Sequence, residues 1–579
     1  MPAARRGRAQ TLRIVYSRSE AMTGENVMAA STTTASTHEV LNQPAALPDL
    51  DLAAGDAALG QGLASGVLAG HAARIRDFGR EAGSAEAREW SRQANENPPK
   101  LRAFDRYGHR IDAVEFHPAY HRLMRMGLEG GVSSAAWTAP AGGHALHACL
   151  LYLMTQADAG VCCPMSMTYA SVPALRAEPA LAREWEPRVA AGRYDPANAP
   201  ADGKAGATIG MAMTEKQGGS DVRANTTRAH PIGEGEYELV GHKWFCSAPM
   251  SDAFLTLAYA PGGLTCLLVP RWRPDGSENA VHLMRLKDKL GDRSNASSEI
   301  EYHGAWARRV GEEGRGVRTI IDMVQGTRLD CVAGSAGGMR AALTEALWHA
   351  RHRTAFQKRL IDQPAMRGVL ADLCLEAEAA TALMLRVARA FDAAPADEGE
   401  AAFARLATPI AKYHVCKRQP GFVYEALEAH GGAGFVEEGP MPRLFRQSPL
   451  NAIWEGSGNV IALDVLRALA REPAAFEAVR AALDAARGRD RHFDDRLGGW
   501  TSWGRAGAVD EATARRFVEE TALLLQGAVL ADGPDLIFHA FCQARLDPDG
   551  HGFGYGTARI DPGDTGPILD RAMPRAVAV

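Results

Sequence analysis

One carboxylate set between an indole and a glycine, in Ile453-Trp454-Glu455-Gly456-Ser457-Gly458-Asn459, is the segment of this 579-residue chain best suited to proton transfer. An apolar wall such as Trp454 disfavours the charged form of a carboxyl and strengthens it as a base, while Gly456 and Gly458 let a ligand approach closely. More than two hundred residues earlier stands Met213-Thr214-Glu215-Lys216-Gln217-Gly218-Gly219-Ser220-Asp221. Its glycines and hydroxyls offer donors to the polar edge of an aromatic dinucleotide, where unmet bonds are costly. Other candidates carry less. His117 with His121, and His144 with His147, have helix-face spacings, but no nearby Cys or carboxylate set supplies further ligands, so no metal is expected. Cys162-Cys163 reads as packing, since a vicinal disulfide is strained. Gly431, Gly432 and Gly434 lack the strand-turn-helix unit of a dinucleotide fingerprint.

The chain is long enough for several cores, with 46% apolar residues and a net charge of -5 that gives no global attraction for nucleic acid. Nine scattered cysteines without C-x-x-C suit a reducing cytoplasm, and no run reaches the roughly 18 apolar residues of a membrane span. Residues 1–37, with Arg5, Arg6, Arg8, Arg13 and Arg18 before a Ser/Thr-rich tract, read as a disordered extension or an over-long start, with Met22 or Met28 as later start candidates. Helical periodicity dominates 38–205. Within 206–315, short strand-like runs such as Glu236–Val240, Ala253–Tyr259 and Leu264–Val269 alternate with turn residues, which predicts a small antiparallel β domain. Helical spacing returns over 316–470, where Pro364 marks a helix start, and again from 471 to about Phe541 before a Gly/Asp/Pro-rich tail. The fold class expected is α+β, mainly α.

The two motifs, with GHKWFCS and KDKLGDRSNAS, resemble the acyl-CoA dehydrogenase superfamily, and more narrowly its DNA-alkylation-response branch, the AidB-type flavoproteins. The resemblance runs from about His38 to the C-terminus. It implies FAD held between the β domain and the helical bundle, in a homo-oligomer, usually a tetramer, whose neighbouring subunit completes the site. On that basis Met213, Thr214, Gly219 and Ser220 would lie along the flavin and its ribityl-phosphate arm, with Phe245, Cys246 and Ser247 on the adjoining strand. Arg353 and Gln363, with Gly431 and Gly432, would reach the neighbour's FAD; Gln357 and Glu428 depart from the family's glycine and glutamine. Ile453, Trp454, Gly456, Ser457 and Asn459 would frame Glu455 as the base for α,β-dehydrogenation. Some sister lineages place the base where this chain has Thr327, next to Arg328, and Thr cannot serve.

The branch also implies protection of DNA against alkylation, with duplex binding through an added C-terminal helical domain, here 471–579. That block has 13 Arg and no Lys against 17 Asp plus Glu, so a phosphate-binding surface would have to be local. Arg467, Arg471, Arg480, Arg487, Arg489, Arg491, Arg515 and Arg516 could share a face of two packed helices, or be solvated and paired, as Glu511 with Arg515 at i,i+4. Two functions compete. One is an AidB-type flavoprotein with acyl-CoA dehydrogenation as its chemistry; the other is a metabolic short- or branched-chain acyl-CoA dehydrogenase that passes electrons to an electron-transferring flavoprotein and has no DNA role.

Overall fold

A computed structural model describes residues 37–64, 66–504, 508–552 and 554–577. The expected N-terminal extension lies outside these except at Thr37. Residues 37–43 carry no helix or strand and belong to a unit of their own; the helices and strands are all built by 44–577.

The first layer is helical, from Ala57–Leu63 through Ala72–Ala82, Ala85–Glu96 and Pro118–Gly130 to Gly143–Ala157, Ala159–Arg176 and Pro179–Val189. Periodicity alone predicts helices only, yet the antiparallel hairpin β1 (Lys100–Phe104) and β2 (Arg110–Glu115) interrupts them. The turn is tied by Asp105, whose carboxylate accepts from the Tyr107 and His109 N–H groups. No long apolar alternation marks it, because both strands are largely exposed.

Seven strands come next: β3 (Ile209–Ala212), β4 (Arg228–Gly233), β5 (Glu236–Ser247), β6 (Ala253–Ala260), β7 (Gly263–Pro270), β8 (Val281–Leu286) and β9 (Ser297–Arg309). The pairings β6–β7, β7–β9, β9–β5, β5–β4 and β4–β6 close a ring, with β3 added to β6 and β8 to β9. The sheet is antiparallel except where β3 and β4 meet β6 in parallel. One face of β6 and β7 fills the barrel, and the other packs Leu255, Leu257 and Leu268 against Val172, Leu175 and Leu181 of the first layer. Burial on both faces explains why these strands read as unbroken apolar runs. Along β5 the register shifts between Lys243 and Cys246, so Lys243 and Cys246 are buried while Trp244 and Phe245 both face outward.

Three long helices, Ile321–His352, Pro364–Ala393 and Glu398–Glu428, form the bundle, and Pro364 occupies the first helical turn as its sequence position predicts. The central helix Ile321–His352 lies close to its neighbours through small residues: a Cβ on Gly337 would stand 2.6 Å from the Tyr152 carbonyl. The C-terminal helices Pro473–Asp484, Arg491–Trp500, Ala514–Leu530, Asp535–Phe541 and Thr565–Ala572 share one continuous apolar core with the bundle, and the helix Thr565–Ala572 lies within the tail. Trp500 stacks between Phe476 and Phe517, and buried Arg545 joins Asp372 and Glu376 of the bundle. No helix among the described residues is long and apolar enough to cross a membrane.

Candidate active site

Glu455 follows a short turn and precedes the helix Gly458–Arg471. Its backbone is left-handed, φ 57°, and Gly456 continues at φ 106°, a value that side chains with a Cβ rarely adopt. A left-handed non-glycine residue costs roughly 1–2 kcal/mol and persists only where its surroundings fix it. Here they do. Lys412 Nζ donates to the carbonyls of Trp454 (2.8 Å) and Gly456 (2.5 Å), and Arg328 Nε donates to the carbonyl of Glu455 (3.2 Å). Arg328 is held in turn by Asp464 at 2.7 Å.

The carboxyl group faces the helix Ile321–His352, where the Thr327 hydroxyl donates to Oε2 at 2.6 Å. Burial pushes the Glu455 carboxyl above the usual carboxylate range, and the Thr327 hydroxyl with the Arg328 and Lys412 cations opposes that rise. Trp454 donates its indole N–H to Asn451 Oδ1 and packs on Cys163, Met167 and Ala248, so one side of the turn is apolar and rich in sulfur. Asp330 lies one turn beyond Thr327, and both its oxygens are engaged, by His147 Nε2 at 2.7 Å and Ser166 Oγ at 2.5 Å.

Replacing Thr327 with Val removes the hydroxyl that favours the carboxylate. A bond to a charged group is worth about 1.5–3 kcal/mol. The acid limb of any proton abstraction by Glu455 then moves to higher pH. A limb that stays in place or moves down contradicts this assignment of the 2.6 Å bond.

The loop 213–221 is fastened to β5 by a buried ion pair. Glu215 Oε1 accepts from Lys243 Nζ at 2.8 Å, and the same carboxylate accepts from the Thr226 and Thr227 N–H groups. Burial alone raises such a carboxyl; Lys243 and the loop donors overcome it and hold Glu215 at about 2. Thr214 O also accepts from Trp244 N, and Gly219 is packed so closely that a Cβ there would meet Thr214 Oγ1 at 2.5 Å. The hydroxyls of Thr214 and Ser220 bond to no protein group among the described residues, and Phe245 and Ile453 are 47% and 63% exposed. Free hydroxyls and uncovered apolar side chains suit a flat ring with a polar edge, which is the donor set FAD requires.

Not every residue of the expected site lies there. The Cys246 side chain sits in the barrel core, because the register shift after Lys243 turns it inward, and Ser247 Oγ meets Ser297 Oγ at 3.1 Å. Ser457 caps the helix Gly458–Arg471 without a side-chain bond, and Asn459 Oδ1 accepts from Arg515. Arg353 ends the helix that carries Thr327 near its start. Twenty-six residues of helix at 1.5 Å each separate them by about 39 Å. Gln363, which donates to the Ala355 carbonyl, follows the hairpin 354–359, and His349 and His430 pack together beside it, next to Gly431 and Gly432. Gln357 adopts φ 65°, the left-handed conformation a glycine would take without strain. Lys412, Lys243 and the role of Glu215 in anchoring its loop carry no signal in the sequence, since nothing in a lone lysine or glutamate marks burial.

The arginines proposed for a phosphate surface are spread over four helices and not two: Gly458–Arg471, Pro473–Asp484, Arg491–Trp500 and Ala514–Leu530. Arg467 bonds Asp464, Arg480 bonds Glu477, Arg487 bonds Asp484, Arg489 bonds Asp535 and Arg516 bonds Glu520. Arg515 binds the Tyr413 hydroxyl and Asn459, not Glu511, because its side chain packs back on the bundle. His117 caps a helix, while His121, His144 and His147 bond Tyr194, Tyr169 and Asp330. A cavity of about 1050 Å³, lined by Arg88, Glu345, His349 and Arg443 among others, includes none of the expected site residues.

Three family models match the chain: the adaptive response protein AidB N-terminal domain over 42–196, the acyl-CoA dehydrogenase middle domain over 210–305, and the acyl-CoA dehydrogenase C-terminal domain over 314–470. AidB of Escherichia coli (strain K12) is 44% identical over 518 residues, 89% of this chain and 95% of the relative. The structure of Caenorhabditis elegans ACDH-11 in complex with C11-CoA is 26% identical, with TM-score 0.72 and 87% of each chain covered. An acyl-CoA dehydrogenase of Bacillus anthracis solved with FAD, 18% identical, shares the fold at TM-score 0.61, covering 74% of this chain and 81% of that one.

Proposed function

The chain belongs to the acyl-CoA dehydrogenase family, in its AidB-type branch, and from that premise we propose that it dehydrogenates an acyl-CoA thioester with Glu455 as the base. Thr214, Ser220 and Phe245 would hold FAD, the cofactor of the family, which would supply a hydride acceptor for the β-hydrogen. The observation that carries the reading is the half-buried carboxyl of Glu455, supported by Thr327 and fixed by Lys412 and Arg328 beside an apolar indole. Glu455 takes the α-proton, the thioester carbonyl stabilises the negative charge that develops at that carbon, and the Trp454 side keeps water from the base. Anaerobic mixing of the flavin-loaded protein with a panel of acyl-CoA thioesters tests it by bleaching of the flavin absorbance. A panel that bleaches nothing ends the reading.

The same reading makes the protein a homo-oligomer, a tetramer by family likeness, with an electron-transferring flavoprotein as the acceptor of its electrons. Supporting it is the separation of about 39 Å between Thr327 and Arg353 along one helix, which sets Arg353, and Gln363 in the segment after it, far from the turn that carries Glu455. Those residues then serve the flavin of a second copy, and Phe356, 92% exposed in its hairpin turn, acquires a surface to cover. Dissociation to monomers should therefore release flavin, read as loss of the visible absorbance from the monomer peak in gel filtration. A monomer that keeps its full flavin sinks this arrangement.

Protection of DNA against alkylation rests on the branch likeness. Against it, Arg467, Arg480, Arg487, Arg489 and Arg516 each pair with a neighbouring carboxylate, and Arg515 turns to the bundle. Duplex binding measured against salt decides the point, since phosphate neutralisation gives a slope near -0.9 per contact.

A further inference from the structure

We propose that Lys412 is a positioning residue for the Glu455 base, setting both the aim and the proton affinity of its carboxyl. The inference rests on the dehydrogenase reading for its chemistry, and on the turn geometry for everything else. Lys412 belongs to the helix Glu398–Glu428 and is 1% exposed, a position where a lysine is costly unless every proton finds an acceptor. Two acceptors are the carbonyls on either side of Glu455, of Trp454 at 2.8 Å and Gly456 at 2.5 Å. With Arg328 on the carbonyl of Glu455 itself, three consecutive carbonyls turn toward two cations. A left-handed residue between two such anchors has no freedom to relax to an ordinary conformation, and its side chain is thereby directed at Thr327.

The ammonium also acts through space. It shares the surroundings of Glu455 with Thr327, Arg328 and Asp330 of the central helix, and with Cys163 of the helix Ala159–Arg176 and Cys331. Of these only Lys412 and Arg328 favour the carboxylate by charge. Arg328 spends much of its charge on Asp464 at 2.7 Å, whereas Lys412 has no carboxylate partner among the described residues. Arg328 remains the larger charge influence on Glu455, and Lys412 is the one without a carboxylate of its own among the described residues.

Lys412→Met, with flavin content measured first, is expected to slow flavin reduction by a reactive acyl-CoA about 10²-fold, the effect of misplacing a reacting group by about 1 Å. Because the Lys412 ammonium is engaged by the turn carbonyls, the thioester concentration for half-maximal rate should stay near the parental value. The protonated-carboxyl infrared band of Glu455, identified by its absence in Glu455→Gln, should titrate at higher pH in Lys412→Met than in the parent. Lys412→Arg keeps the charge and changes the reach, so its band should titrate near the parental pH while its rate falls between the other two. A Met variant with the parental rate and parental titration overturns the proposal, as does an Arg variant whose titration moves as far as that of Met. Should Met fail to hold flavin, the Arg variant decides alone: a displaced titration overturns the proposal, and a parental titration with a slowed rate supports it. The infrared readout needs no substrate. A parent inert to every thioester but showing the band shift on substitution would retire the dehydrogenase reading and leave the role of Lys412 standing.

Discussion

Changing Glu455 to Gln leaves the flavin bound and slows its reduction by a reactive acyl-CoA by at least ~10²-fold, the usual contribution of a general base. The amide keeps the size of the side chain and can still accept the Thr327 hydroxyl, so the left-handed turn and its three anchored carbonyls survive. What disappears is an oxygen whose proton affinity is raised by burial. Thr327 has no basicity near neutral pH. Asp330 is nearest in sequence on the same helix, but His147 and Ser166 occupy its oxygens. Stopped-flow reduction under anaerobic conditions measures the effect, with bound flavin as the internal control. A Gln variant reduced at the parental rate would show that another group takes the proton, and the whole assignment of the turn as the chemical centre would go with it.

Much of the architecture was legible because it is written in periodicity and in local signals. Pro364 starts a helix, β6 and β7 read as apolar runs, and the order of helical, β and helical segments follows from the change of period. The hairpin β1–β2 escaped because exposed strands leave no apolar alternation to find. At the site, Glu455 was legible from its own neighbours, Trp454 and Gly456. Thr327 and Arg328 stand out only as the place where sister lineages carry the base, and Lys412 not at all, because these groups come from two helices and meet the turn only in three dimensions. Arg515 shows the opposite failure. An arginine four residues after a glutamate invites an i,i+4 pair, yet the packing of Ala514–Leu530 on the bundle gives it Tyr413 and Asn459 instead. Cys246 illustrates the period of a strand, since one step from Phe245 carries a side chain from the exposed face to the barrel core.

Removing either partner of the Glu215–Lys243 pair should unfasten the flavin loop. Both side chains are fully enclosed, their separation is 2.8 Å, and the lysine also donates to the Leu257 carbonyl inside the barrel. Breaking a buried pair from one side strands the other charge, at a cost of about 3–5 kcal/mol. Glu215→Ala leaves burial as the dominant influence on Lys243, which already lowers its proton affinity, and also orphans the Thr226 and Thr227 N–H groups. Because loop 213–221 carries Thr214, Gly219 and Ser220, the loss should appear as flavin release at lower temperature, in step with the fall in melting temperature. Acid behaviour gives an independent check. The native carboxyl titrates at about 2 against an ordinary value of 4.5, so its stabilisation is complete above about 4.5 and fades as the pH falls toward about 2. Between those limits the parent should lose stability toward a variant lacking Glu215, and the gap between them should narrow. Replacing both residues, Glu215→Leu with Lys243→Met, removes the stranded charge and should recover part of the loss, though the loop donors stay unmet. A double variant no better than the worse single one would mean that the pair matters for shape alone, and a Glu215→Ala protein with parental melting and flavin content would remove the pair from any role in holding the site.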